Sequence, residues 1–264
     1  MAVSTMDGLI NALVQGERKG WSKGSFTPQA TGAFHSLWLT PGEPGPGVAP
    51  ATGNGAIPDD ATAGAHPFVN AAGALNNGLG YFSANGLAVG TLVVFDRIWH
   101  NSGLNTTTTI TSFTSTALTR FTDGKGVECW AEWYTSSGAA TATNATVIYT
   151  DESGNTGATG TIVMPAVTKI AGQMFPMQMA SGDYGIRAAA STTLSVTQTS
   201  GTWGLTFMKR LAEIPIRPSD QGASVLNAID LGYPDIPDDA CLSFMFQGAV
   251  TANTLTGSLL IGKG

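Results

Sequence analysis

Charge is what this chain has least of. Asp, Glu, Lys and Arg make up 11% of its 264 residues, against roughly 25% in ordinary soluble domains. A surface so poor in charge has to be built from Thr, Ser, Asn, Gln, Gly and Ala. It hydrates, but it resists self-association less than a charged surface does, which suits a subunit packed among many neighbours. The 12 Lys and Arg are scattered, with Glu17-Arg18-Lys19 as the one dense group, and the formal net charge is −6. Without a basic cluster to neutralise phosphates, nucleic-acid binding is excluded as the main activity.

Cysteine and histidine are almost as scarce. Cys129 lies in a strand-like run and Cys241 opens the apolar "CLSFMF"; both read as small buried hydrophobes, and whether they pair stays open. His35, His66 and His100 are isolated, with no H-x-x-x-H or H-x-E spacing, so the expectation is no metal site. G-x-S-x-G, the phosphate-binding G-x-x-x-x-G-K-[ST] and C-x-x-C are missing as well. No catalytic residue and no cofactor is therefore expected, and the chain reads as a non-enzyme. Long apolar runs are also lacking: none approaches the ~18 residues of a membrane span. The first twenty residues have no basic leader region, and their apolar run is broken by Asp7, Asn11 and Gln15. The expectation is synthesis in a cytoplasm with no membrane partner.

The few candidates for chemistry each have a plainer reading. Asp59-Asp60 and Asp238-Asp239 both follow a proline, and Pro-Asp opens turns. "DESGN" (Asp151 to Asn155) lacks the alternating carboxylates and distal Glu of a calcium loop, so it reads as a turn. Trp99, Trp130, Trp133, Tyr134 and Trp203 could stack sugars on a β face, but alternating aromatics more often form core and anchors. The Asn105 and Asn144 sequons bear on the function only if the chain takes a secretory route.

What is there is apolar residues at 42% and 34 glycines, enough for a real core. One good helix is expected from Thr5 to Lys19. Ser4 or Thr5 caps it, Leu9, Ile10, Leu13 and Val14 form its stripe, Arg18 and Lys19 suit its end and Gly20 stops it. From Gly24 to Gly80 regular structure is hard to place. "TPGEPGPGVAPATGNGAIPDDATAGAHP" (Thr40 to Pro67) carries too much Pro and Gly for a helix or central strand. Flanked by Phe34, Trp38, Phe68, Tyr81 and Phe82, it reads as an extended arm lying on a surface. After Gly86 the pattern turns to β. "LAVGTLVVFDRIWH" and "TTTTITSF" (Thr106 to Phe113) are strand-like. "VECWAEWY" sets Val127, Cys129, Ala131 and Trp133 on one face, with Glu128, Trp130, Glu132 and Tyr134 on the other. "ATVIYT" and "TGTIVM" flank the "DESGNTGA" hairpin. "TTLSVTQT" turns Leu194 and Val196 inward, and "TWGLTFMKR" does the same with Trp203, Leu205 and Phe207. "CLSFMF" and "TLTGSLLIG" add two more, and "SVLNAIDLG" (Ser224 to Gly232) offers a second short helix. Eight to ten short strands with no helices between them predict an all-β antiparallel sandwich, jelly-roll-like, with an N-terminal helix and a Pro/Gly-rich extended arm. Residues 1–85 would hold helix and arm, and 86–264 the β-sandwich domain.

Four segments resemble virion structural proteins of tailed bacteriophages: "DRIWHNSGL" (Asp96 to Leu104), "ALTRFTDGKGVECWAEWY" (Ala117 to Tyr134), "ATVIYTDESGNTG" (Ala145 to Gly157) and "SGDYGIRAAASTTLSVTQTSGTWGLTFMKRLAEIPI" (Ser181 to Ile216). The recurring elements are structural turns and strand entries, and the Gly24 to Gly80 region is not covered. The resemblance implies a subunit built into particles, with no catalytic residues to carry over. Its localisation would be the virion after synthesis in the host cytoplasm. Its partners would be other virion proteins, major capsid or neck and tail subunits, and copies of itself in a homo-oligomer. A capsid decoration, cement or minor head protein is the leading expectation; a neck, tail or baseplate protein, or a module binding host glycan or receptor, is the alternative. Partner contacts are expected at Leu9, Ile10, Leu13, Val14, Phe34, Trp38 and Phe68.

Overall fold

The computed structural model of the protein describes residues 3–24, 32–73, 75–87, 89–138, 140–248 and 254–264. Within the stretch expected to resist regular structure, residues 25–31 and 74 lie outside the described residues. The chain begins with helix α1 (Met6–Val14), then strands β1 (Glu17–Lys23), β2 (Phe34–Ser36), β3 (Gly42–Glu43), β4 (Asn77–Gly86), β5 (Gly90–His100) and β6 (Thr111–Ser112). It continues through β7 (Glu128–Thr135), β8 (Thr143–Asp151), β9 (Thr156–Met164), β10 (Gln173–Gln178), β11 (Ile186–Leu194) and β12 (Thr202–Ile216). Then come β13 (Ser224–Asn227), the short helix α2 (Ala228–Leu231), β14 (Asp235–Ile236), β15 (Leu242–Gly248) and β16 (Leu255–Lys263). The fold is all-β and antiparallel, as the alternation predicts.

Its centre is a closed ring. The strands pair in the order β2–β15–β5–β12–β7–β10, and β10 pairs back onto β2. Three residues of β2 suffice to close it: Phe34 and His35 face Met174 and Gln173 of β10, while Ser36 faces Met245 of β15. Beyond β10, the run β9–β8–β11–β6 extends the same sheet and folds back on the ring. Its inner face meets Trp99, Cys129, Trp133, Trp203, Leu205 and Phe207 in one core. A second sheet, β13–β4–β16–β1–β3 with β14 beside β4, covers another part of the ring wall. Trp21, Phe82 and Leu259 of that sheet pack there against Leu92, Val94, Phe244 and Phe246. Alternation makes this possible. Leu92 and Val94 of β5 point outward to the second sheet, while Val93 and Phe95 point into the ring with Trp130, Met174, Met208 and Met245. Several strands are thus buried on both faces, which a period-two reading assigns to only one.

The N-terminal region is part of this body. β1 pairs residue for residue with β16 from Glu17↔Ile261 to Lys23↔Leu255, and Trp21 stacks on Phe244 at 4.7 Å. A division at 85/86 falls inside β4. The expected helix to Lys19 stops at Val14, because Gly16 lies so close to β16 that a Cβ there would sit 2.8 Å from the Ile261 carbonyl. Arg18, Lys19 and Gly20 join the ladder instead. Two further expectations are corrected and a third is narrowed. Of "TTTTITSF" only Thr111–Ser112 is strand. β11 ends at Leu194, so Leu194 is buried but Val196 is exposed; Ser195 and Val196 turn away to hydrogen-bond the Asn144 carbonyl and Thr143 Oγ1. In "SVLNAIDLG" strand β13 precedes a helix of four residues.

The Pro/Gly-rich arm is ordered by contacts, and the surface it lies on is the chain's own. Its carbonyls have few strand partners and take donors from the end of β5 and the residues after it: Trp99 Nε1 bonds Asn54 O (3.0 Å), Asn101 Nδ2 bonds Gly53 O (3.0 Å) and Ser102 Oγ bonds Pro50 O (2.6 Å). Trp38 Nε1 bonds Val48 O at 2.8 Å. Gly47 passes so close to the Trp38 ring that a Cβ would come within 2.2 Å of it.

Candidate interaction surface

The densest ionisable chemistry sits inside the ring. Arg97 of β5 and Glu132 of β7 are fully buried and joined by two bonds, Nη1–Oε2 at 2.6 Å and Nη2–Oε1 at 3.1 Å. Thr206 Oγ1 on β12 and Tyr134 Oη donate to the same carboxylate, at 2.6 and 3.2 Å. Ser36 Oγ on β2 accepts from Arg97 Nη2 at 3.0 Å. The guanidinium lies 4.5 Å from the Trp38 ring. Burial alone would raise the Glu132 carboxyl, but Arg97 and the hydroxyl donors overcome it and hold the carboxyl well below its ordinary value. Beside this pair, Arg120 clasps Asp96 at 2.9 and 3.0 Å. Arg97, Glu132 and Asp96 are fully buried, and Arg120 is nearly so.

The three histidines are buried on different elements. Burial pushes the imidazole of His66 down to about 4, and those of His35 and His100 to about 3. Among the described residues no group of three or more His, Cys, Asp or Glu is placed to hold a metal ion. Cys129 and Cys241 are buried free thiols, and burial pushes Cys241 up to about 12. The paired aspartates serve turns: Asp59 accepts from Thr62 Oγ1 at 2.7 Å, Asp238 from Asn77 at 2.8 Å, and Asp239 from Asn70 at 3.4 Å. Asp151 closes its hairpin by accepting from the Asn155 amide at 2.8 Å. The sugar-stacking expectation is overturned: Trp99, Trp130, Trp133, Tyr134 and Trp203 are all buried, so they offer no ring face to a glycan.

What the surface does offer is apolar. Thr5 caps α1, its Oγ1 accepting from the Gly8 amide at 3.0 Å. Ala12 is buried and Leu13 reaches towards Gly80, which has no Cβ to block it. Leu9 is half-buried as well. The expected stripe thus splits, with Leu9 and Leu13 turned to the body and Ile10 and Val14 turned away. Met6 joins the outward pair, and the three are 60%, 51% and 79% exposed. They recur every fourth residue and share one helix face. Of the other expected contacts, Trp38 and Phe68 are buried in the chain's own cores, and Phe34 is half-buried against Trp130. α2 lies nearby. A capping box between Asn227 and Asp230 starts it and Gly232, left-handed at φ 67°, ends it. Its Ile229 is 73% exposed. A cavity of about 570 Å³ opens between the helices, lined by Thr5, Met6 and Leu9 on one side and Ile229, Tyr233 and Asp235 on the other. Sequence reading found Ile10 and Val14 but missed Met6 and Ile229. The second short helix expected within Ser224–Gly232 is α2, and the N-x-x-D-x-G pattern at Asn227–Gly232 marks its two ends.

No family model matches the chain, and no curated protein matches it. Among solved structures, it is similar to the infectious bursal disease virus VP2 subviral particle at 8% identity and a TM-score of 0.23, covering 99% of this chain and 83% of that one. It is similar also to T=1 particles derived from infectious bursal virus, at 9% identity and a TM-score of 0.19, covering 94% of this chain and 78% of that one. Likeness at these scores carries no argument about fold or role.

Proposed function

We propose that the chain is a non-enzymatic structural subunit of a tailed-phage virion, sitting on or beside the capsid shell as a decoration, cement or minor head protein. The observation that carries this reading is the outward stripe Met6, Ile10 and Val14 on a helix fixed to a rigid β body. Three apolar side chains aligned on one helix face form a contiguous strip that a neighbouring subunit would cover. Two further features support it. The Arg97–Glu132 pair of the ring is buried among structural partners, and the turns and strand entries that resemble those of tailed-phage virion proteins fall in the β body. Many copies held at fixed geometry gain avidity from modest contacts, so a small apolar stripe is enough.

Purified particles of the encoding phage, resolved on a quantified protein gel, test the proposal. A copy number matching an icosahedral lattice is the expected result. A ring-like low copy number would move the subunit to the neck, tail or baseplate, and its absence from particles would overturn the virion reading.

A further inference from the structure

Three Asn–Gly steps occur in the chain: Asn54-Gly55, Asn77-Gly78 and Asn85-Gly86. In such a step the glycine nitrogen can attack the asparagine side-chain carbonyl, because a residue without Cβ leaves the approach open. The fold holds two of the three shut. Asn77 is buried, its Oδ1 accepting from the Ala71 amide and its Nδ2 donating to Asp238, both at 2.8 Å. Gly78 is paired on both sides, with Gly262 of β16 and Asp235 of β14. Asn85 Oδ1 accepts from Thr256 Oγ1, and Gly86 is paired with Leu255 and bridged to Pro218.

Asn54 differs at every reacting atom. The residue is exposed. Its Nδ2, the leaving group, makes no hydrogen bond among the described residues, and neither does the Gly55 amide, the nucleophile. Its Oδ1 accepts from the Thr114 amide at 3.0 Å. That donor sits where negative charge develops as a nitrogen adds to Cγ.

We propose that Asn54 is a self-modifying site, where the Gly55 nitrogen displaces ammonia from the side chain and water then opens the resulting imide. The Gly55 N–Cγ bond forms as that nitrogen loses its proton. The Cγ–Nδ2 bond breaks as Nδ2 takes up a proton and leaves as ammonia, and nothing is oxidised or reduced. Water adding at Cγ leaves aspartate. Water adding at the main-chain carbonyl carbon leaves isoaspartate, with the chain running through Cβ and Cγ. The second product changes the fold locally. The Asn54 main-chain carbonyl accepts from Trp99 Nε1 at 3.0 Å and from the Thr116 amide at 3.1 Å. In isoaspartate that group leaves the main chain as a side carboxylate, and the chain gains a carbon. The arm's hold on the end of β5 is therefore limited in time.

The test incubates the full chain at mildly alkaline pH, folded or in guanidinium chloride, and follows each Asn–Gly peptide by mass spectrometry after digestion. In the folded chain Asn54 is expected to convert roughly ten-fold or more faster than Asn77 or Asn85, whose hydrogen bonds have to break first. In denaturant the three rates should converge. Asn54→Gln, which would need a larger ring, should remove the fast phase of ammonia release; the side chain is exposed, so the fold is spared. The isoaspartate fraction should exchange amide hydrogens faster over residues 50–57 than the unmodified chain. Equal rates at the three sites in the folded chain would overturn the inference. So would a fast phase that survives Asn54→Gln, or a ranking that persists in denaturant, since the fold would then not select the site. Unchanged amide exchange would overturn the loosening of the arm.

Discussion

Arg97 and Glu132 meet inside the ring with no solvent contact, while Met6, Val14 and Ile229 stand more than half exposed on the helical edge. The two regions invert the usual placement of charge and apolar surface, and for different reasons. Inside the ring, a charge pair hydrogen-bonded to three other side chains has one satisfactory arrangement. It ties together β5, β7, β12 and β2, the short strand that closes the ring. Such a pair contributes little net stability, because desolvation offsets its attraction; what it supplies is a single way to close. At the edge, apolar side chains left in water contribute nothing to the isolated fold and are available to a partner. A chain with so few charges has placed both members of this pair out of contact with solvent.

The comparison can be broken first by cutting the chain between the two regions. A chain beginning at Gln15 loses α1 but keeps β1 through β3, and it is expected to fold with native far-UV circular dichroism. A chain beginning at Ala51 loses the β1 partner of β16, the Trp21, Leu37 and Trp38 core side chains and the β2 closure. It is expected to be insoluble or unfolded. If the shorter chain folds, the ring does not depend on β2 and the N-terminal segment is an appendage after all.

Unpairing the interior comes next. Glu132→Leu strands the Arg97 charge and should cost roughly 3–5 kcal/mol, read from the denaturant midpoint. Adding Arg97→Met to make the double variant should recover most of that loss. A single variant that loses less than about 1 kcal/mol would mean that water reaches Arg97 and that the interior is not sealed.

The histidines sharpen the same contrast through pH. His35, His66 and His100 are held neutral by burial, with folded values of about 3, 4 and 3 against about 6.5 in an unfolded chain. As pH falls below 6.5 the unfolded chain takes up protons that the folded chain refuses. Stability is therefore full above that pH and is lost as pH falls towards 4. Each histidine contributes up to about 1.4 kcal/mol per pH unit in that window. His66→Leu should remove about that much from the slope of stability against pH, measured by urea unfolding from neutrality downwards. An unchanged slope would place His66 in contact with solvent.

Much of the body was legible in local pattern. The alternation of Trp203, Leu205 and Phe207, the Asp151 hairpin and the Thr5 cap all arise from neighbouring residues. The Glu132 environment was not legible in this way. In "VECWAEWY" the period-two rule sets Glu132 with Trp130 and Tyr134 on the second face, which reads as half-solvated. It is buried because β2 and β10, far apart in sequence, meet and enclose that face. The same limit applies to the surface. Ile10 and Val14 show in the helical period, but the cavity joins α1 to residues near the other end of the chain, so Ile229 has no local signal beyond the caps of α2. The arm was legible as ordered, yet composition does not point to its carbonyl partners, Trp99 at the end of β5 and Asn101 and Ser102 just beyond that strand.

The smallest expected effect on stability falls at the edge, and there the comparison becomes functional. Ile10→Ser and Val14→Ser each remove an exposed apolar side chain from α1, so the unfolding midpoint should move by no more than about 0.5 kcal/mol. Part of even that belongs to the weaker helix propensity of Ser. Leu13→Ala, on the opposite face against Gly80 and Leu260, removes packed methyl groups and should cost clearly more. Incorporation into particles should rank the other way. The doubly substituted Ile10/Val14 chain should fold normally and be depleted from purified particles, while Leu13→Ala, where it folds, should still join them. If the outward pair proves as costly to stability as Leu13, the stripe is covered in the isolated chain and the edge is not an interaction surface. If both variants assemble fully, contacts with neighbours lie elsewhere on the β body.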